Sequence, residues 1–387
     1  MASYPSYAAT STPKVSTSSY KKSDAVARSK ILLLGLRRSG KTSIQQVLFE
    51  NLPPKQTFYL EPTTRIIKHT YDTVIPLEIW DCPGTITVET LGAPLSQFLT
   101  IIFVIDIRDL YNQPISKLVE FIVAAYHENP NVNIEVFVHK AEKLQEDDKI
   151  ENFRQINERV TDRLLDISPD YEQLPLNFHL TSVYDHTLHE AFSRVLHKLI
   201  DSLPFLEDLL NVFCANSQSP KAFLFDSTSR LYIATDASPV DSATHNLCCD
   251  YLQMLNSFGP LYKSASASAS RHRKLLSSAA PLLSVPSPSD RDDQESSGHT
   301  TPSIGASNSK RRAKELFYPS AAALLHPSTP GTTLTYHCIT EHLALLAIMP
   351  TPVFENRRGL VEYNVVFFRE GVQEIYQVEQ EARSGGS

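Results

Sequence analysis

The chain has 387 residues, too many for one ordinary single-core domain and enough for two with linker. With 42% hydrophobic and 20% charged residues it can bury real cores, and a formal charge of −7 lacks the basic excess of a general nucleic-acid binder. The five cysteines form no CxxC pair, no apolar run reaches membrane-spanning length, and the start carries no hydrophobic signal region. A disulfide scaffold, a secreted protein and a membrane-spanning protein are thereby excluded, and a soluble intracellular chain with reduced thiols is expected.

Residues 1–29 are rich in Ser, Thr, Tyr and Ala without apolar periodicity and read as a disordered leader. The chain does not begin Met-Gly, and its end, Arg383-Ser384-Gly385-Gly386-Ser387, has no prenylation cysteine. Any placement at a membrane is therefore expected to depend on another protein. Residues 30–204 alternate short apolar runs with amphipathic stretches. The pattern predicts strands over 31–34, 65–69, 74–80, 101–105, 134–138 and 177–181, and helices over 42–50, 115–126 and 188–200, the last stopped by Pro204. This rhythm belongs to an α/β domain with a parallel-rich sheet covered on both faces.

A second pattern, α+β, occupies 205–378. It predicts helices over 207–213 and 247–258, strands over 222–225, 231–234, 333–340 and 343–349, and a final helix from Leu360. In that helix Val361, Val365, Phe368, Val372 and Ile375 form one apolar stripe. An insertion, 264–332, interrupts this domain and is expected to be mostly disordered, because residues 264–314 are dominated by Ser, Ala and Pro. Ser287-Pro288 and Thr301-Pro302 within it are candidate proline-directed phosphorylation sites. Residues 379–387 read as a tail.

Four elements at strand ends carry chemistry. Gly35-Leu36-Arg37-Arg38-Ser39-Gly40-Lys41-Thr42 follows a buried strand and opens a helix, the setting in which G-x-x-x-x-G-K-[ST] is a P-loop. Its inward N–H groups and helix N-terminus suit phosphate oxygens, Lys41 would reach the β- and γ-phosphates, and Thr42 would ligate Mg²⁺. Asp81-Cys82-Pro83-Gly84 is a D-x-x-G element at a strand end; its carboxylate can hold Mg²⁺ through water, and the Gly84 N–H can approach the γ-phosphate. His139-Lys140-Ala141-Glu142 stands where guanine-specific GTPases have Asn-Lys-x-Asp, and Thr181-Ser182 could give backbone contacts to a base. All four in this order describe most simply a small GTPase binding GTP/GDP with Mg²⁺. An ATP-specific P-loop protein is the competing reading, since the guanine element is imperfect.

These elements, with Leu60-Glu61-Pro62-Thr63, Thr181-Ser182-Val183-Tyr184-Asp185-His186 and Lys221-Ala222-Phe223-Leu224-Phe225-Asp226, resemble the Rag/Gtr family of small GTPases, RagC/RagD subtype. The resemblance runs from about Lys30 to Lys263 and resumes over about 333–378. It implies a Ras-like G domain followed by a roadblock-type domain that dimerises obligately with an A/B-type Rag (Gtr) subunit. It also implies a cytoplasmic switch that relays amino-acid sufficiency to the TOR kinase complex. Such a switch would be recruited to the lysosomal or vacuolar membrane by a scaffold complex and assisted by an activating protein, with no nucleic-acid partner and no membrane insertion of its own.

On this resemblance the nucleotide-binding residues are Arg37, Arg38, Ser39, Gly40, Lys41, Thr42, Ser43, Thr63, Gly84, His139, Lys140, Glu142, Ser182 and Val183. Thr42, Thr63 and Asp81 would serve the metal, and Lys41, Thr63 and Gly84 the hydrolytic step. Thr63 is the switch threonine sensing Mg²⁺ and γ-phosphate, with Thr64 as the alternative. Two departures stand out: Thr85 replaces the water-positioning glutamine, and Glu142 replaces an aspartate. Thr85 predicts slow hydrolysis and leaves open a non-hydrolysing, nucleotide-bound scaffold subunit. Arg37 and Arg38 are expected to face solvent, the alternative being that they act as a built-in finger stabilising charge on the phosphoryl group and so partly offset Thr85.

Overall fold

A computed structural model describes residues 28–73, 75–109, 112–262, 318–325 and 331–385. Most of the expected leader, most of the expected insertion and both Ser/Thr-Pro sites lie outside the described residues.

Strand β1 (Ser29–Gly35) is apolar at every position from Ile31 to Leu34 because both of its faces are covered. Ile31 and Leu33 join one core, and Leu32 and Leu34 join another on the opposite side. Around it, β2 (Ile67–Asp72), β3 (Pro76–Asp81), β4 (Thr100–Asp106), β5 (Asn133–His139) and β6 (Leu176–Thr181) form a sheet in the order β2-β3-β1-β4-β5-β6. All neighbours are parallel except β2 and β3. Those two are joined by a link too short for a crossover, so the edge strand runs antiparallel.

Helices α1 (Lys41–Phe49), α2 (Asn112–Glu128), α3 (Glu146–Leu165) and α4 (Thr187–His197) flank this sheet. The sequence reading placed no helix at α3. It is heavily charged, and only Ile156, Val160 and Leu164, four residues apart, are buried. The helix expected over 188–200 ends at His197, and Pro204 does not stop it. Proline sits instead in the first turn of α5 (Leu203–Ser217), where its missing N–H costs nothing.

The second sheet has the order β8-β7-β11-β10-β9, antiparallel throughout. It comprises β7 (Lys221–Asp226), β8 (Tyr232–Thr235), β9 (Ser320–Leu324), β10 (Thr332–Cys338) and β11 (Leu343–Pro350). Helix α6 (Ser242–Tyr262) covers the face of Phe223, Phe225 and Leu346, while α5 and α7 (Thr351–Gly385) cover that of Leu224, Leu345 and Met349.

Three expectations change here. Strand β9 lies inside the stretch expected to be mostly disordered; its alanines carry no alternating signal, and pairing with β10 orders them. Helix α7 begins at Thr351, ahead of Leu360, with a break in helical geometry at Arg357. It also continues through most of the expected tail, to Gly385. Its stripe is as expected on the buried side: Val361, Val365, Phe368 and Val372 are buried and Ile375 packs against them. All five cysteines are free thiols. Among the described residues, no helix is long and apolar enough to cross a membrane.

The two sheets share one core. A single apolar cluster runs from Ile31 and Phe137 through Phe192 and Val195 of α4 to Leu206 of α5, Leu224 and Phe368. Polar ties reinforce the joint: the Tyr232 N–H donates to Ser193 Oγ at 3.0 Å, and His197 Nε2 lies 3.2 Å from the Tyr232 carbonyl. Phe192 sits edge-on to both Phe49 and Phe137, with centroids 5.4 and 6.5 Å away. Phe192→Ala should therefore cost about 3–5 kcal/mol. In urea unfolding followed by circular dichroism both sheets should melt in one earlier transition; two separated transitions would show that the cores are independent.

Candidate functional site

The parallel strands deliver β1, β3, β5 and β6 to one edge of the large sheet, so their C-terminal ends bring the four motifs together. The loop after β1 needs its glycines for space as well as conformation. Gly35 has φ +141°, and a Cβ there would stand 2.3 Å from the Val104 carbonyl oxygen. Gly40 has φ +112°, and its Cβ would stand 2.6 Å from His139 Cδ2. Arg37 and Arg38 are exposed, as expected, with Arg38 in the left-handed region at φ +65°. Lys41 bridges the loop, its Nζ donating to the Gly35 and Leu36 carbonyls at 2.9 and 3.0 Å. Burial lowers the Lys41 ammonium to about 8, against the opposing pull of Asp81 and Cys82. A cation this desolvated gains when an anion enters beside it.

Three segments distant in sequence meet in a triangle of oxygens. Thr42 Oγ1 donates to Asp81 Oδ2 at 2.7 Å, Thr63 Oγ1 donates to the same oxygen at 3.0 Å, and the two hydroxyls are 2.8 Å apart. Asp81 is wholly buried, and its Oδ1 has no hydrogen-bond partner. Thr63 is half-buried in this triangle while Thr64 is exposed, so of the two candidates it is Thr63 whose hydroxyl meets Thr42 and Asp81. The donor set is all oxygen, which suits a hard divalent cation. Among the described residues no group of three or more His, Cys, Asp or Glu forms a metal cage, so any cation here relies on these hydroxyls and on a ligand's own oxygens. Gly84 lies against the loop: a Cβ on it would be 2.3 Å from the Arg37 nitrogen. Thr85 next to it is exposed.

The far end of the cleft is built by β5 and β6. His139 is buried beneath Gly40, and its Nδ1 lies 2.9 Å from Thr181 Oγ1. Lys140, at φ +66°, turns its Nζ to Asp106 Oδ2 at 2.9 Å and to the Arg38 carbonyl. Ser182 Oγ donates to Glu142 Oε2 at 2.7 Å and accepts from the Tyr184 N–H at 3.0 Å. A cavity of about 640 Å³ joins this end to the phosphate loop. Of the sequence-derived residues, Arg37, Arg38, Gly40, Lys41, Thr42, Ser43, Thr63, Gly84, His139, Lys140, Glu142 and Val183 line it. Ser39, Asp81 and Ser182 stand behind the lining, Ser39 with a buried hydroxyl that has no partner.

The sequence reading missed Asp106, which ends β4. It holds both Lys140 and Arg108, and despite the cost of burial those bonds lower its carboxyl to about 2. It also missed Thr57 and Phe58, which overhang the cleft from the segment before Thr63.

Residues 30–252 match the family described as the Gtr1/RagA G protein conserved region. The GTP-binding protein gtr2 of Schizosaccharomyces pombe is 36% identical over 90% of this chain and 98% of its own length. Ras-related GTP-binding protein C of Homo sapiens is 36% identical over 91% of this chain and 78% of its own. The chain belongs to the Rag/Gtr family of small GTPases. Within the family, matches of the Gtr1 type are shorter: the gtr1 protein of S. pombe is 28% identical over 56% of the chain. That contrast fits the RagC/Gtr2 subtype. The N-terminal unit is thus a Ras-like G domain, and the antiparallel sheet with its helices is consistent with a roadblock-type domain.

In this Rag/Gtr chain His139 replaces the more usual asparagine of the guanine element, and its environment makes it an uncharged strut. Burial, with Lys140 adding to it and Asp106 opposing, lowers its pKa from 6.5 to about 3. The unfolded chain therefore binds a proton at this position that the folded chain refuses. The stability it supports is complete above about pH 6.5 and drains away as pH falls toward 3, at about 1.4 kcal/mol per pH unit. His139→Asn removes the titration while keeping a polar partner for Thr181. Urea midpoints measured between pH 6 and 4 should fall less steeply in that variant, by about one proton's worth; parallel curves would mean that His139 is charged in the fold.

Proposed function

We propose that this Rag/Gtr chain is the guanine-nucleotide-binding switch subunit of a heterodimer with an A/B-type Rag (Gtr) subunit. In this reading it relays amino-acid sufficiency to the TOR kinase complex from the cytoplasmic surface of the vacuole or lysosome, held there by a scaffold complex. The observation that carries the switch reading is the triangle of Thr42, Thr63 and Asp81. It joins the phosphate loop, the segment before β2 and the end of β3 by direct hydrogen bonds, so a cation and phosphate placed there would touch all three segments at once.

The residues fit Mg²⁺: two hydroxyls converge on one oxygen of a buried carboxylate whose other oxygen has no partner. Thr42 and Thr63 would hold the ion directly and Asp81 would steady it, and when bound it supplies positive charge beside the phosphates. Lys41, already desolvated, would neutralise charge developing on the transferred phosphoryl group as water attacks in line. The Gly84 N–H would meet a γ-phosphate oxygen. At the other end Glu142 would accept from the guanine edge, with Ser182 fixing its longer side chain.

Hydrolysis is slow in this reading, because no glutamine amide follows Gly84. Thr85 is shorter, β-branched and exposed. The same observation favours the second reading, a nucleotide-bound scaffold subunit that does not turn over. Among the described residues β9 is an edge strand of the five-stranded sheet, with Leu324 exposed, which supports pairing with a partner domain.

Nucleotide released by denaturing the purified chain should chromatograph as GDP or GTP, and ATP should not displace it. Lys41→Ala should lose most of that affinity. Release of adenine nucleotide would overturn the guanine reading. In single-turnover assays the wild type should keep GTP for hours, and Thr85→Gln should hydrolyse faster in the presence of an activating partner. Wild-type turnover within minutes, unaffected by Thr85→Gln, would mean that another residue positions the water.

A further inference from the structure

Gly84 stands at the hinge of the D-x-x-G element, in a turn closed by the Ile86 N–H donating to the Pro83 carbonyl at 3.1 Å. Lacking a Cβ, it has the softest backbone of that turn, and its own carbonyl takes no part in the turn's closing bond. One group holds that carbonyl. Lys117, on α2, donates from Nζ to the Gly84 oxygen at 2.8 Å. The side chain is half-buried, and burial lowers its ammonium, with Glu120 and Cys82 pulling the other way. Its charge reaches far enough into the site to help lower Lys41 as well.

The geometry has a directional consequence. The Gly84 carbonyl shares one rigid peptide plane with the Thr85 N–H, so fixing the Gly84 oxygen fixes that plane and anchors the Gly84 Cα at its edge. On the other side the backbone of Arg37 leaves no room even for a Cβ. Gly84 is thus held between the phosphate loop and α2, and its Cα and N–H are kept beside that loop before any ligand arrives. A preset donor gives its whole hydrogen bond to a ligand that reaches it and gives nothing to one that does not.

We propose that Lys117 is a positioning residue that tilts this site toward the triphosphate, by holding Gly84 against the phosphate loop, where its N–H meets the γ-phosphate. The proposal rests on the guanine-nucleotide reading above and adds to it a determinant on α2, outside all four motifs. GDP has nothing to offer the Gly84 N–H, so Lys117 contributes to the affinity for GTP and cancels out of that for GDP.

The test is equilibrium binding of fluorescent GDP and of a non-hydrolysable fluorescent GTP analogue to the full-length chain, in wild type, Lys117→Met, Lys117→Gln and Lys117→Arg. Both neutral variants should weaken the GTP analogue relative to GDP by roughly 5- to 20-fold, the range of one charge-assisted hydrogen bond at a half-buried site. Lys117→Arg should restore the ratio, and thermal midpoints should stay close to wild type. Equal losses for both nucleotides with a lowered midpoint would overturn the proposal in favour of a merely structural lysine. An unchanged ratio in folded Lys117→Met and Lys117→Gln would overturn it outright while leaving the nucleotide reading intact. Wild type that binds neither nucleotide would overturn both.

Discussion

A carboxylate with no exposed surface must find partners inside the protein, and the site is organised around where Asp81 finds them. One of its oxygens draws in hydroxyls from the first helix and from the segment before β2, so three pieces of chain that share no sheet ladder at that point are brought to hydrogen-bonding distance. The other oxygen is left without a partner. Burying a charged group in that half-satisfied state costs free energy that a cation would return. The same residue closes β3, so its place is fixed by the parallel ladder to β1, and the phosphate loop leaves β1 two residues later. Ladder, loop and carboxylate constrain one another.

The second constraint is continuity of the apolar interior. Helix α4 belongs to the nucleotide-binding unit, yet its buried face meets strands and helices of the second sheet, and α5 begins only a few residues after it. A shift of β5 or β6 is therefore felt across Phe137, Phe192 and Val195 rather than absorbed by a linker. Structurally, the second sheet is built onto the first.

What could be read from the chain without coordinates was what local chemistry encodes. A glycine-bounded loop between a buried strand and a helix, or an aspartate ending an alternating strand, carries its function in a handful of adjacent residues. Thr63 needed structure, because Thr64 has the same side chain and only the fold turns one of them toward Asp81. Asp106 and Lys117 were illegible for a related reason. Each acts on a backbone or side-chain atom more than thirty residues away, and nothing in Ile105-Asp106 or Ser116-Lys117 announces that. Helix α3 was missed because three buried residues in twenty leave a weak period, and β9 because Ser-Ala-Ala-Ala-Leu has no strand signature without its neighbour.

Trp80 is the sole indole of the chain, and it stands immediately before Asp81. It is nearly buried, edge-on to Phe98 at 5.1 Å, with its Nε1 donating to Glu78. Above the ring sits the Lys68 ammonium, 3.7 Å from the centroid, on the strand that follows the Thr63 segment directly. An ammonium at that distance perturbs the excited state of an indole, and the Thr63 segment has two short paths to the ring, along β2 to Lys68 and through Asp81 to its neighbour Trp80. The protein thus carries one indole, excitable selectively beyond the tyrosine band, beside the Thr63 side of the cleft, and its emission can be followed without attaching any label.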